Sequence, residues 1–179
     1  MSQITNNKYT IYEKKIGFVN WVGFWTLYKK EVLRFLIVVI QTIISPLVTS
    51  LLFLLVLSLA IGNDRGEVLG FPFISFLAPG LIAMQVIQQG FSHSSSSIMI
   101  GKIQGNIVDI LYAPLTAAEI TLATNLASCT RSIAIAAVSI VVFKFIVDIQ
   151  FYNFFYIFIF WFLGSFILSS IGIIIGLWA

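Results

Sequence analysis

The chain has 179 residues, of which 59% are hydrophobic, 15% aromatic and only 9% charged, with a formal net charge of +3. Soluble domains average about 25% charged residues, so this composition excludes the ordinary soluble globular class. The apolar residues form runs long enough to cross a hydrocarbon core about 30 Å thick as helices, and the alternating segments of about 10 residues that mark transmembrane barrels are absent. We therefore predict an all-α integral membrane protein.

The N-terminal region is basic. Most of the basic residues of the chain precede the first apolar run, namely Lys8, Lys14, Lys15, Lys29, Lys30 and Arg34. The positive-inside rule therefore places the N-terminus in the cytoplasm. The first apolar run begins only near residue 35 and is longer than the roughly 7–15 residues of a signal-peptide core, so we expect a permanent span.

Residues 1–34 are predicted to form a cytoplasmic N-terminus followed by an amphipathic helix. Phe18, Trp21, Trp25 and Tyr28 recur at three- and four-residue spacings, which aligns them in one stripe on a helix. Such a helix is expected to lie in the plane of the membrane interface. The alternative is that these rings form the aromatic belt of the first span.

Residues 35–179 are predicted to form a transmembrane domain of four helices, at about 35–61, 73–100, 117–145 and 152–178. Pro46 lies inside the first span and favours a kink there. Lys144 and Asp148 are four residues apart at the outer end of the third span and are expected to pair. The fourth span contains Gly172 and Gly176, a G-x-x-x-G pattern that permits close helix contact or arises by chance.

The second span is unusually polar for a lipid environment. Gln85, Gln88, Gln89 and Ser92 would be costly against hydrocarbon, and the third span adds Arg131, which costs about 2.5–3.5 kcal/mol on insertion scales. We expect the arginine to point into the bundle or to snorkel to the interface. These five side chains form either a polar face for helix packing or the wall of a substrate path, and both interpretations stay open.

The single histidine and the single cysteine do not indicate a metal site. His93 has no Cys, Asp or Glu at ligand spacing, so we expect a satisfied polar residue near the membrane face rather than a metal ligand. Cys129 lies in an apolar run and has no intrachain partner, so it is expected to be a small core residue.

Residues 101–116 form a mildly polar segment between the second and third spans, predicted to be cytoplasmic. A short helix is expected from Asn106 to Ala113, with Asn106 and Asp109 on one face and an apolar group on another, made of Ile103, Ile107, Ile110 and Leu111. Pro114 disfavours helical geometry at Ala113 and should end this helix. Thr116 and Glu119 match the T-x-x-E capping box, which predicts the start of the third span.

No catalytic motif is present in the sequence. Gly101 and Lys102 are followed by Ile103 and lack the upstream glycine of a phosphate-binding loop, and neither G-x-S-x-G nor H-E-x-x-H occurs. We therefore predict no catalytic residue, no metal and no cofactor bound by this chain. The energy for any transport must come from an ion gradient or from another subunit.

Three stretches carry a resemblance to a known family. They are "LYKKEVLRF" at residues 27–35, "FLAPGLIAM" at 76–84 and "IVDILYAPLTAAEI" at 107–120. In this order, and over about residues 18–178, the chain resembles the permease subunits of type-2 ABC exporters. The resemblance implies six spans per permease, two permeases, and two ATP-binding subunits that hold ATP and Mg. We accordingly expect this chain, which ends directly after its fourth span, to be a truncated six-span permease.

In that family the cytoplasmic helix between the second and third spans is a coupling helix that docks on the ATP-binding subunit. By motif match, the resemblance assigns this contact to Asn106, Asp109, Ile110, Leu111, Pro114, Leu115 and Glu119. The implied function is that of a non-catalytic permease subunit of an ATP-driven exporter, multi-pass in the bacterial cytoplasmic membrane. The implied partners are an ABC ATP-binding subunit, a second permease copy of the same or another chain, and the lipid bilayer, with no nucleic acid.

Neither the residues nor the resemblance identifies the substrate, and a drug, a lipid or a polysaccharide-type molecule all fit an apolar pathway. Two other functions are weighed. A gradient-driven carrier or channel would need a membrane-embedded charge, for which Arg131 is the candidate. A membrane-embedded enzyme would need a catalytic pair, for which His93 and the neighbouring serines are the only option.

Overall fold

The computed structural model describes residues 19–61, 67–68, 70–147 and 153–179. In these ranges the chain forms six helices: α1 (Trp21–Ile37), α2 (Val39–Ile61), α3 (Phe73–Ile103), α4 (Ile107–Tyr112), α5 (Ala117–Ile146) and α6 (Phe154–Trp178). Two-residue strands, β1 (Glu67–Val68) and β2 (Phe71–Pro72), pair antiparallel between α2 and α3. Phe18 and Asp148, for which a ring stripe and an ion pair were predicted, lie outside the described residues.

Four of the described helices, α2, α3, α5 and α6, are long and apolar enough to cross a membrane. The prediction of an all-α membrane protein with four such helices is confirmed. The β1–β2 pair contains the only strands among the described residues, and it lies in the polar connection between the first two spans.

Helices α3 and α6 pack closely because small residues face each other. A Cβ atom added at Gly172 would lie 2.7 Å from the carbonyl oxygen of Phe91, and one added at Gly176 would lie 3.0 Å from that of Ser95. Such distances leave no room for a side chain, so the two backbones approach directly. The G-x-x-x-G pattern therefore lies at a helix contact and has a structural role.

Buried hydroxyl and amide groups join α5 to α6. The Ser169 hydroxyl donates to Asn125 Oδ1 at 2.6 Å, Asn125 Nδ2 donates to Ser170 Oγ at 3.0 Å, and the Ser165 hydroxyl donates to Ser132 Oγ at 3.0 Å. Interhelical hydrogen bonds of this kind contribute on average about 0.6 kcal/mol in membrane helices. Cys129 is buried beside them, as predicted for a core residue.

Helix α1 packs lengthwise on the first part of α5. Asn20 lies beside Glu119, and the hydroxyl groups of Tyr28 and Thr130 are hydrogen-bonded at 2.9 Å, so the two helices run in the same direction. The outer side of α1 exposes Trp25, whose ring stacks on Tyr28 with 5.1 Å between centroids. The placement of α1 at the membrane interface stays a prediction.

The break between α1 and α2 lies later than the predicted start of the first span near residue 35. Helical hydrogen bonding is interrupted at Val38, and Phe35 belongs to α1. The reason is that Leu27, Glu31 and Phe35, spaced four residues apart, form the buried stripe that attaches α1 to the bundle.

Helix α2 is the most peripheral of the four long helices. Only 11% of its most apolar window is buried, against 44% for α5. Its buried residues are Thr42, Ser50 and Leu54, which are separated by eight and four positions and so lie on one face of the helix. Pro46 lies inside the helix, and its carbonyl oxygen accepts a hydrogen bond from Gln85 Nε2 on α3 at 2.6 Å.

Candidate functional sites

The connection between α3 and α5 contains the short helix α4. Gly105 has a φ of 74°, a left-handed conformation that glycine adopts without steric cost and that turns the chain out of α3. At the other end, Ala113 is extended with a ψ of 144°, because the ring of Pro114 disfavours helical geometry in the preceding residue. The predicted short helix with a proline-imposed end is therefore present, as Ile107–Tyr112.

The apolar side chains of α4 divide differently from the prediction. Ile107 and Ile110 are half-buried, whereas Leu111 is 70% exposed and Tyr112 is 86% exposed. The expectation that Ile103 shares one helix face with Ile107, Ile110 and Leu111 is wrong for Ile103, which is not part of α4. Ile103 ends α3 on the far side of the Gly105 turn, and Leu111 is open although it lies one turn after the half-buried Ile107. An apolar surface is consequently left open at this end of the molecule.

Glu119 joins the coupling segment, residues 101–116, to α1. Its Oε2 accepts from the backbone N–H of Thr116 at 2.7 Å, while its own N–H donates to Thr116 Oγ1 at 3.3 Å, which confirms the predicted capping box. Its Oε1 accepts from the backbone N–H of Asn20 at 2.6 Å. One carboxylate thus lies at the N-termini of both α5 and α1, where the helix dipoles favour negative charge.

Asn20 completes this attachment. Its Oδ1 accepts from the N–H of Gly23 and caps α1, and its Nδ2 donates to the carbonyl oxygen of Pro114 at 3.1 Å. A Cβ atom at Gly23 would lie 2.7 Å from Leu115 Cδ2, so Leu115 packs directly on the α1 backbone. Displacement of the coupling segment must therefore move the start of α1.

A groove of about 480 Å³ lies between α1 and α4. Leu27 and Lys30 of α1 line one side, and Asp109 and Ile110 of α4 line the other. Of the remaining residues assigned to the coupling contact, Asn106 is exposed and donates through Nδ2 to Gln104 Oε1 at 3.2 Å. The coupling residues are therefore gathered at one end of the bundle, some exposed and some buried against α1.

The polar residues of α3 fall into two groups. Gln85 is buried, with its Oε1 accepting from the Ser139 hydroxyl at 2.9 Å and its Nε2 bonded to the Pro46 carbonyl. It acts as a packing residue between α2, α3 and α5. Gln88 and Ser92 are exposed and line the space between α2 and α3.

Arg131 points into the bundle. One of its terminal nitrogens donates to His93 Nδ1 at 2.9 Å and the other donates to Gln89 Oε1 at 3.1 Å. Because a guanidinium group can only donate, Nδ1 of His93 is the acceptor and the proton of the neutral ring lies on Nε2. His93 Nε2 has no hydrogen-bond partner among the described residues, so the expectation of a fully satisfied histidine is only half met.

Glu31 brings a carboxylate into the same region. It is 3% exposed, and its Oε2 accepts from the Ser97 hydroxyl at 2.7 Å and lies 3.7 Å from a terminal nitrogen of Arg34 and 3.9 Å from His93 Nε2. Arg34 also donates to Ser97 Oγ at 3.1 Å. We call this set the charge network: Glu31, Arg34, Gln89, His93, Ser97 and Arg131.

Sequence reasoning missed Glu31 as a buried member of the charge network. The signal was present, since Glu31 lies exactly between Leu27 and Phe35 on the four-residue spacing of an apolar stripe. A charged side chain at a position whose helical neighbours are buried is a candidate for an internal ion pair.

The comparison with protein families decides the classification. Residues 22–179 match the family described as ABC-2 type transporter. The chain belongs to this family. The resemblance inferred from the three sequence stretches is thereby confirmed, and the match includes both the coupling segment and the charge network of this ABC-2 chain.

Curated relatives of this ABC-2 chain are described as "Inner membrane transport permease YadH", from Escherichia coli strain K12 and from Shigella flexneri. Each is 35% identical over 95 residues, a stretch that covers 53% of this chain and 37% of the relative. The matched stretch thus spans little more than a third of the relatives' length. No solved structure matches the chain.

Proposed function

We propose that this chain is the transmembrane permease subunit of an ATP-driven exporter in the bacterial inner membrane. In this proposal ATP and Mg bind to a separate ATP-binding subunit, and a second permease copy completes the pathway. The observation that carries the proposal is the exposed apolar surface of α4, which is attached through Glu119 to the N-termini of α1 and α5. Family membership and the printed name of the relatives support it.

The surface of α4 has the chemistry of a docking site. Leu111 and Tyr112 are exposed at the end of α4, and Ile103 at the end of α3 is 78% exposed. Apolar and aromatic side chains open to water are typical of protein interfaces. An ATP-binding subunit that receives Leu111 and Tyr112 in a groove would bury them.

The contacts around Glu119 supply a route for mechanical coupling. A displacement of α4 is passed through Pro114 and Leu115 to Asn20 at the start of α1, and through Glu119 to the start of α5. Packed helices move as rigid bodies, so the motion reaches the charge network, where α1, α3 and α5 meet. ATP-driven closure of the partner would thereby change the spacing of helices around the α2–α3 cleft.

Charge distribution supports a cytoplasmic position for the coupling segment. Lys29 and Lys30 on α1 and Lys102 at the end of α3 lie toward the α4 end of the bundle, whereas Lys144 is near the opposite end of α5. Basic residues favour the cytoplasmic side of short loops. The N-terminus is accordingly assigned to the cytoplasm and the β1–β2 hairpin to the outside.

Affinity purification tests the proposal. The tagged reading frame that contains this chain is extracted from native membranes in mild detergent, and co-purifying proteins are identified and quantified by mass spectrometry. A stoichiometric ABC ATP-binding subunit is expected. If none co-purifies while the permease itself is recovered folded, and if export stops on adding an uncoupler but not on ATP depletion, the proposal is wrong and a gradient-driven carrier takes its place.

A further inference from the structure

Arg131 carries a positive charge inside the bundle and has no carboxylate partner among the described residues. In the part of the chain that the structure describes, Glu31 pairs with Arg34 and lies near the neutral ring of His93, and no carboxylate lies within ion-pair distance of Arg131. At 1.5 Å per residue, Arg131 lies about 21 Å along α5 from Ala117, near the middle of this helix of 30 residues. Its hydrogen-bond partners, Gln89 and His93, are both neutral acceptors. A membrane-embedded arginine of this kind marks a substrate or ion site by default.

A second guanidinium group faces the same space. Arg34, Gln89, His93 and Arg131 all line a cleft of about 370 Å³ between α1 and α2 on one side and α3 and α5 on the other, which we call the polar cleft. Glu31 is the carboxylate that pairs there, and it pairs with Arg34. Two guanidinium groups and one carboxylate leave a net charge of +1, so the cleft has a surplus of positive charge.

Two of the side chains that line the polar cleft each contain a nitrogen that makes no hydrogen bond. Within the described part of the chain, Arg131 Nε and His93 Nε2 are buried and have no hydrogen-bond partner. Each such donor costs free energy while it is unpaired. Both belong to side chains that line the polar cleft, but the two atoms are themselves buried, so a ligand in the cleft would meet the outer parts of Arg131 and Arg34, whose positive charge favours an anion with several acceptor oxygens.

The polar cleft continues into a second, less polar cleft of about 320 Å³ between α2 and α3. The two share Ser45, Pro46 and Gln89, and the second is lined farther along by Phe53 and Met84. A molecule in both clefts would place an acidic group beside the arginines and an apolar chain beside α2. The combined space therefore matches an amphiphile rather than a free ion.

We propose that the polar cleft binds the phosphate or carboxylate group of an anionic amphiphile, with Arg131 and Arg34 as the charged contacts and the apolar chain in the second cleft. As a statement about the transported molecule, this rests on the proposed function. As a statement about binding, it stands on Arg131, Arg34 and the shape of the two clefts alone.

Binding is measured on the purified full chain in maltoside micelles, by scintillation proximity with radiolabelled dodecyl phosphate. Saturable binding is expected, displaced by unlabelled dodecyl phosphate or dodecanoate at concentrations at least tenfold below those needed for dodecyltrimethylammonium. Inorganic phosphate is expected to displace the probe only weakly, because it lacks the chain. Equal displacement by the anionic and cationic dodecyl compounds would overturn the proposal. Efficient displacement by inorganic phosphate would show that the apolar chain is not needed and would contradict an amphiphilic ligand.

Variants locate the site. Arg131→Gln is expected to lower the affinity for dodecyl phosphate at least about tenfold, the effect of losing one charged hydrogen-bonding group, while Arg131→Lys keeps the charge and should retain more of the affinity. Lys144→Gln removes one positive charge from an exposed position outside both clefts and should leave binding unchanged. A folded Arg131→Gln protein that binds as well as wild type contradicts the proposal.

The measurement separates this inference from the permease assignment. No ATP-binding subunit is present in the binding assay, so loss of binding selectivity would count against the anion site alone. Conversely, a failure to co-purify an ATP-binding subunit would leave the binding result intact. If Arg131→Gln does not fold, the displacement series on the wild-type chain still decides between an anionic and a non-anionic ligand.

Discussion

The carboxylate of Glu119 accepts a hydrogen bond from the backbone N–H of Asn20 at 2.6 Å, although the two residues are 99 positions apart in the chain. This contact places the start of α1 directly on the start of α5. The coupling segment precedes α5 and ends at the same carboxylate, so its position is determined by both helices. The predictions below test this junction, the helix contacts beneath it and the charge network.

Replacing Glu119 by alanine should destabilise the protein more than replacing Thr116 by alanine. Thr116→Ala removes one helix cap, which costs typically about 1 kcal/mol. Glu119→Ala removes the acceptors for the N–H groups of both Thr116 and Asn20, so two helix starts lose a partner. Thermal unfolding of the detergent-solubilised proteins is expected to give the highest Tm for wild type, a lower Tm for Thr116→Ala and the lowest for Glu119→Ala.

The control for this pair is Asp109→Ala, which changes an exposed carboxylate on α4 and is expected to shift the Tm little. A Glu119→Ala protein as stable as Thr116→Ala would mean that the Asn20 contact contributes nothing to the attachment of α1.

Two glycines that differ only in their surroundings test the α3–α6 contact. Gly172→Ala places a Cβ atom 2.7 Å from the backbone oxygen of Phe91, which cannot move without shifting a helix, and should destabilise the protein by about 1–3 kcal/mol. Gly80→Ala meets no atom within 4 Å and should be neutral or stabilising by up to about 1 kcal/mol, because alanine is the better helix former. Unfolding in denaturant measures both, and equal effects would contradict the close contact.

Gln85 and Ser139 should be energetically coupled. Their hydrogen bond at 2.9 Å is buried between α3 and α5. A double-mutant cycle with Gln85→Ala and Ser139→Ala is expected to give a coupling energy of about 0.6 kcal/mol, within the range of up to about 1.7 kcal/mol known for membrane helices. The same cycle with Gln88→Ala in place of Gln85→Ala should give no coupling, since Gln88 is exposed.

Glu31→Gln should weaken the attachment of α1 to α3. The substitution keeps the shape of the side chain but removes the charge that faces Arg34, leaving the arginine without its carboxylate. A loss of about 1 kcal/mol in unfolding free energy is expected, because Arg34 is partly exposed and water replaces part of the lost pairing. Lys29→Gln, two residues earlier on the exposed side of α1, is the control and should have little effect. A Glu31→Gln protein of wild-type stability would show that the ion pair does not hold α1.

Local signals in the sequence predicted the features that depend on neighbours along the chain. The apolar runs predicted four long helices, Pro114 predicted the end of α4, and T-x-x-E predicted the capping box at Thr116. Each of these depends on residues a few positions apart, so spacing alone carries the information. The family resemblance added the identity of the coupling segment.

The features that could not be predicted depend on tertiary contacts. Nothing in the spacing of Asn20 and Glu119 indicates that they meet, and the exposure of Leu111 depends on where α1 covers α4. His93 could be seen as polar in an apolar span, but its two neighbours, Arg131 and Glu31, come from different helices. Glu31 alone had a local signal, through the buried stripe that it shares with Leu27 and Phe35.

The central claim is that the exposed apolar surface of α4 receives an ATP-binding subunit, and Leu111→Arg tests it most directly. The matched control is Gln104→Arg, which adds the same charge to an exposed position of the same segment. Each variant is purified in its full reading frame from native membranes, and the amount of co-purifying ATP-binding subunit is measured per permease. We predict at least a tenfold loss for Leu111→Arg and wild-type recovery for Gln104→Arg. Full recovery with Leu111→Arg would contradict docking at α4.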